Sequence, residues 1–145
     1  MSKKQELPVT LLEELYTAGA GYDIIRYVGL PDVFGNQANA LLYFMGKNMA
    51  RKFDFQSISD IVYAFEKLGW GNLELVKEKK NELTFQLMAD AIVYRLNSPL
   101  ETEFRLEAGF LSESVSHIKQ RPCECEEEIH KKIHQIEFTA ILTDY

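Results

Sequence analysis

The hydrophobic spacing of this chain switches from helical to strand-like at Leu73, returns to helical after Pro99 and turns strand-like again at Cys123. Apolar residues three to four apart make one buried helix face, and apolar residues at alternate positions make one buried strand face, so these switches set the class of fold. Thr10 can cap a first helix whose apolar residues are Leu11, Leu12, Leu15, Tyr16, Tyr22, Ile25 and Tyr27, ended by Gly29 and Pro31. A second helix from near Asn36 carries Leu41, Leu42, Phe44, Met45 and Met49. Lys47, Arg51 and Lys52 fall in its last turns, where the helix dipole favours cations. Gly46 inside it costs about 1 kcal/mol relative to alanine and so marks close backbone packing. Ser57 or Ser59 caps a third helix bearing Ile61, Val62, Phe65 and Leu68, closed by Gly69-Trp70-Gly71-Asn72.

Leu73 and Leu75, then Leu83, Phe85 and Leu87, alternate with polar residues around Lys79-Lys80-Asn81, which reads as a hairpin. A fourth helix with Phe104, Leu106, Ala108, Phe110, Leu111, Val115 and Ile118 lies between Pro99 and Pro122. A second hairpin, Cys123 to His130 and Ile133 to Thr143, turns at Lys131-Lys132. That turn sets Cys123 against Ala140, Cys125 against Phe138 and Ile129 against His134. Cys123, Cys125, Ile129, Ile136, Phe138, Ala140 and Leu142 then share one sheet face, with Glu127 as a polar exception, and the other face is largely wet. The expectation is a single α+β domain over residues 1–145, with residues 1–9 as a flexible lead-in. Four helices cover one face of a twisted antiparallel sheet of two hairpins, in the order ααα-ββ-α-ββ.

A net charge of -6 argues against binding nucleic acid through a basic patch. The residues from Glu101 onward hold ten acidic against five basic side chains, so the negative charge is concentrated there. Glu13 and Glu14 interrupt the first hydrophobic run, and no stretch approaches the roughly 18 to 20 apolar residues of a membrane span. Cys123 and Cys125, one residue apart on a strand, are poorly placed to bridge each other. The expectation is a cytoplasmic protein in a reducing compartment.

No catalytic or metal-binding constellation is expected. Cys123, Cys125, His130 and His134 offer zinc-type ligands, but five strand residues separate Cys125 from His130 by about 16 Å. His130-Lys-Lys-Ile-His134 has zincin spacing without the glutamate base. Gly19-Ala-Gly21 and Gly46-Lys47 lack the remaining residues of phosphate loops, and Ser112, Ser114 and Ser116 sit in no nucleophile elbow. His117 reads as a surface helix residue. Glu124, Glu126, Glu127 and Glu128 read as a solvated strand face rather than a calcium site.

The stretch Leu106-Glu-Ala-Gly-Phe-Leu-Ser-Glu-Ser-Val-Ser-His-Ile-Lys-Gln-Arg-Pro-Cys-Glu-Cys-Glu126, with Ile136-Glu-Phe138, resembles the carboxy-terminal signature of vinyl-reductase domains. Those domains share their fold with small TRAPP vesicle-tethering subunits. Ile25-Arg-Tyr-Val-Gly-Leu-Pro-Asp32, Gly46-Lys-Asn-Met-Ala-Arg-Lys-Phe53, Gly69-Trp-Gly71 and Leu106-Glu-Ala-Gly-Phe110 resemble the uncharacterised bacterial YslB-like family. The resemblance runs from about Tyr22 to Thr143 and implies helices stacked on one side of an antiparallel sheet. Many vinyl-reductase-type domains hold zinc through hairpin cysteines. Here those positions fall on Ile136 and near Glu128, so that zinc set is lost.

By that resemblance the chain is expected to be a non-enzymatic dimeric scaffold that needs no cofactor. Its leading helix, with Leu11, Leu12, Leu15 and Tyr22, packs against a second copy, as TRAPP-like relatives pair through helices. The alternative is a sensor or carrier holding a small hydrophobic ligand between the second helix and the sheet, near Tyr43, Phe44, Phe85 and Phe110.

Overall fold

The computed structural model describes residues 19–144. Leu11, Leu12 and Leu15 of the expected dimer surface lie outside them. The first described helix, α1, runs as Ala20–Ile24, a π turn at Ile25–Gly29, and Leu30–Phe34. It therefore passes through Gly29 and Pro31, where the sequence predicts its end. In the π turn the Leu30 N–H donates to the Ile25 carbonyl, five residues back. This widened turn carries the helix into Pro31, which brings no N–H of its own. The stop lies at Gly35, whose φ of 61° favours glycine. A short 3-10 turn, Gly35–Gln37, then leads into α2, Ala38–Ala50.

Helix α3, Ile58–Lys67, starts at Ser57, whose Oγ accepts the Asp60 N–H at 3.3 Å. The Asp60 carboxylate in turn accepts the Gln56 N–H at 2.8 Å. Strands β1 (Asn72–Glu78) and β2 (Glu82–Met88) form the expected hairpin, with Leu73 opposite Leu87 and Leu75 opposite Phe85. The pairing skips Val76, which forms a bulge. A further helix, α4, spans Asp90–Asn97 and has no counterpart in the sequence reading. Helix α5, Arg105–Lys119, is closed by Gln120 in the left-handed conformation. Strands β3 (Cys123–His130) and β4 (Gln135–Leu142) complete a four-stranded antiparallel sheet in the order β1-β2-β4-β3.

The second hairpin corrects the expected register. Its turn takes four residues, the 3-10 turn Lys131–Ile133 and the left-handed His134, rather than two. Cys123 therefore faces Leu142, Cys125 faces Ala140 and Ile129 faces Ile136. A slip of two residues leaves every side chain on its expected face. Glu127 is the polar residue on the inner face, where it accepts a hydrogen bond from Arg105 Nη1 at 2.9 Å.

Helices α2 and α5 cross in backbone contact. A Cβ on Gly46 would collide with the Leu106 carbonyl oxygen and lie 2.7 Å from the Phe110 nitrogen; one on Gly109 would collide with the Tyr43 carbonyl. Below this crossing Phe110 meets the rings of Phe53, Phe55, Phe65 and Trp70 at centroid distances of 5.1 to 6.3 Å. The helices also cover the start of the β3 edge of the sheet. Ser112 Oγ donates to the Cys123 carbonyl at 2.7 Å, and the Cys125 N–H donates to the Tyr43 hydroxyl at 2.9 Å.

Candidate functional site

Helix α1 is turned inside out. Its buried residues are Arg26 and Tyr27, whereas Ile24, Ile25 and Val28 are 55%, 61% and 40% exposed. A surface helix ordinarily does the reverse, because burying a charge without partners costs far more than exposing an aliphatic side chain.

The partners of Arg26 explain its inward position. Its Nε donates to Glu103 Oε2 at 2.9 Å, and its Nη1 donates to Glu107 Oε2 at 2.7 Å and to the Tyr22 hydroxyl at 3.0 Å. Nη2 reaches Glu107 Oε1, Glu103 Oε1 and the Glu103 carbonyl. Burial alone would lower the guanidinium's pKa, but the Glu107 and Glu103 carboxylates outweigh it and hold the pKa above its usual value. Alongside, Arg95 on α4 pairs with Asp23 on α1 at 2.9 Å. Among the described residues, its Nη1 and the Tyr27 hydroxyl are buried without a hydrogen-bond partner. Burial pushes the Tyr27 phenol up, against the nearby Arg26. This ionic centre locks one face of α1 to α4 and to the first turn of α5, and leaves its aliphatic face outward.

Helix α2 also exposes apolar side chains, beside the end of α1. Phe34, Leu41, Phe44, Met45 and Met49 line a shallow depression of about 380 Å³, rimmed by Asn48 and Lys52. Phe44 is 61% exposed. The four residues expected to share a ligand pocket are dispersed. Phe44 faces out into this depression, which none of the other three borders, while Phe85 and Phe110 are fully buried in the core. Tyr43 is half-buried, its ring under the Arg105 guanidinium at 4.4 Å and its hydroxyl donating to Glu124 at 2.7 Å. Burial raises its phenol pKa, whereas Lys47 and Tyr43 outweigh the burial of the Glu124 carboxyl and hold it below its usual range. Tyr22, expected in the dimer surface, is partly exposed, but its hydroxyl is taken by Arg26 and by Trp70 Nε1 at 3.2 Å.

The hydroxyls of Ser112, Ser114 and Ser116 each donate to a backbone carbonyl, and His117 Nε2 meets Asp54 at 2.8 Å near the surface. Cys123 and Cys125 are buried free thiols. Burial pushes Cys123 up to about 12 and Cys125 well above the usual thiol range. Ellman's reagent at pH 8 is therefore expected to label neither cysteine in the native protein and both in denaturant. Rapid labelling of the native protein would contradict this burial.

Residues 19–141 match the model of a family described as a protein of unknown function, DUF2507. The chain belongs to this family. It is 34% identical over 140 residues to the uncharacterized protein YslB of Bacillus subtilis (strain 168), a match covering 97% of this chain and 95% of that one. The fold is also that of a crystallised vinyl-4-reductase family protein from Methanocaldococcus jannaschii, with a TM-score of 0.63 at 15% identity over 94% of this chain and 88% of the other. Two blocks read as YslB-like in the sequence, Ile25–Asp32 and Leu106–Phe110, contain Arg26, Tyr27 and Glu107 of the ionic centre. Apolar spacing does not register these charges. A signal was available: Glu103 and Glu107 stand four apart, and Glu107 lies between Leu106 and Ala108. No helix among the described residues is long and apolar enough to cross a membrane.

Proposed function

We propose that this DUF2507 protein is a non-enzymatic cytoplasmic interaction domain that works as a homodimer through the outer face of α1 and α2. The observation that carries this reading is the inversion of α1, whose charges face inward while Ile24, Ile25 and Val28 join Leu41 and Phe44 outside. Exposed apolar side chains gathered on successive helices mark association sites, and a two-fold pair would cover them with the same surface of a second copy. The resemblance to TRAPP-like subunits, which pair through helices, supports the same mode. The commitment of all three α5 serines to backbone carbonyls and the burial of both thiols support a role without catalysis.

Sedimentation velocity is expected to give twice the 16.7 kDa chain mass, and Phe44→Glu is expected to return the monomer with an unchanged circular dichroism spectrum. A wild-type monomer at about 100 μM would overturn the reading. The second reading, a carrier for a small hydrophobic ligand, draws on the apolar depression over Phe44, whose 380 Å³ falls in the range of ligand sites. Native mass spectrometry separates the two, since a carrier purifies with a small-mass adduct that denaturation removes.

A further inference from the structure

The geometry assigns a divalent transition-metal site to the open face of the sheet, made by Glu128, His130 and Glu137. Glu128 and His130 are two apart on β3 and so project from the same side, and Glu137 on β4 stands directly opposite Glu128. One ligand atom from each of the three lies within 4.8 Å of the other two. An ion about 2.0 to 2.2 Å from each ligand atom draws such a set together by modest rotations of partly exposed side chains.

Electrostatics supplies a separate argument. Like charges directly opposite on neighbouring strands destabilise a sheet, yet Glu128 and Glu137 are paired in this way. Elsewhere on β3, Glu124 is paired with Lys47 and Glu127 with Arg105, while Glu126 beside Glu128 has no such partner among the described residues and adds to the negative charge of this face. Among the described residues Glu128 and Glu137 make no ion pair, and Lys131 and Lys132 in the adjoining turn do not reach them. A bound cation removes this repulsion, and the imidazole narrows the choice. Carboxylates alone suit calcium or magnesium, whereas two carboxylates with a histidine suit the manganese-to-zinc series. The site shares the neighbourhood of Glu128 with the cysteine set that the vinyl-reductase resemblance implies, but not its other position, because Ile136 faces the core on the opposite side of the sheet, and it takes His130 and Glu137 in place of cysteine. Three ligands from one face leave the solvent side of the ion open to exchange.

Isothermal titration of the full chain with Zn²⁺, repeated with Mn²⁺, tests the assignment. One equivalent is expected to bind. Glu137→Gln and His130→Asn should each weaken binding by about tenfold or more, while Glu126→Gln, on the same face, leaves it unchanged. In the metal-free protein Glu137→Gln should raise the melting temperature, and Zn²⁺ should raise it in the wild type but not in that variant. Absence of saturable binding below about 1 mM, or titrations unaffected by Glu137→Gln and His130→Asn, would overturn the assignment.

Discussion

Gly109→Ala is expected to destabilise the fold by about 3 kcal/mol or more, or to prevent folding, although helix propensity alone favours alanine by about 1 kcal/mol. The two terms have opposite signs, and the geometry decides between them. A Cβ at this position would lie 2.8 Å from the Tyr43 carbonyl carbon and still closer to its oxygen. Backbone of a neighbouring helix cannot swing aside as a flexible side chain can. Helices α2 and α5 would have to separate, opening the core where Phe110 meets four other rings. Urea denaturation measures the loss. A Gly109→Ala midpoint within about 0.5 kcal/mol of the wild type would show that the helices part without cost, contrary to this account. Gly46→Ala meets the Leu106 carbonyl across the same crossing and should behave alike.

The second large effect is expected from Glu107→Ala. Glu107 is fully buried and accepts hydrogen bonds from two nitrogens of Arg26, itself 1% exposed. Removing the carboxylate leaves a guanidinium that cannot shed its proton, with Glu103 as its remaining carboxylate partner. The expected loss is about 3 to 5 kcal/mol. Arg26→Met combined with Glu107→Leu removes both charges together and should recover most of that loss, because a buried ion pair contributes little net stability over apolar packing. If Glu107→Ala loses under about 1 kcal/mol, or if the double variant is worse than the single one, the centre does not act as a coupled unit. Since the centre fixes the rotation of α1 about its own axis, Glu107→Ala should also weaken association, and the double variant should restore it.

What the sequence made legible was local. The alternation in Leu83, Phe85 and Leu87 located the first hairpin, Gly46 within an apolar helix announced the close crossing, and Glu127 stood out as the polar residue on the buried side. The unread features depend on partners far along the chain. Arg26 finds Glu103 and Glu107 across separations of 77 and 81 residues, so neither the inward turn of α1 nor its exposed aliphatic residues follows from spacing. By spacing, Ile25 and Tyr27 are equivalent apolar positions of one helix, yet one is exposed and the other buried. Helix α4 begins at Asp90 behind Ala89, which offers no side-chain cap, and buries Arg95 as well as Ile92, so its start and its pattern are both weak signals. In the second hairpin, a two-lysine turn and a four-residue turn keep the same residues on the same face, so hydrophobic patterning could not separate them. The glutamate and histidine positions were visible, but the opposition of Glu128 to Glu137 exists only in the longer turn.

The different treatment of the two sheet edges gives the molecule a direction for growth. On the β3 side, backbone groups of Cys123 and Cys125 are already taken by Ser112 and Tyr43, so a strand arriving there would first have to displace two helices. Among the described residues no strand pairs with the outer side of β1, which is interrupted by the Val76 bulge and flanked by Lys77 and Glu78. A strand added along a whole edge therefore meets less obstruction at β1 than at the start of β3, and successive identical copies joined edge to edge would meet that obstruction at every junction. Head-to-tail stacking through the sheet is thereby hindered by the same two side chains that seat α2 and α5 on it.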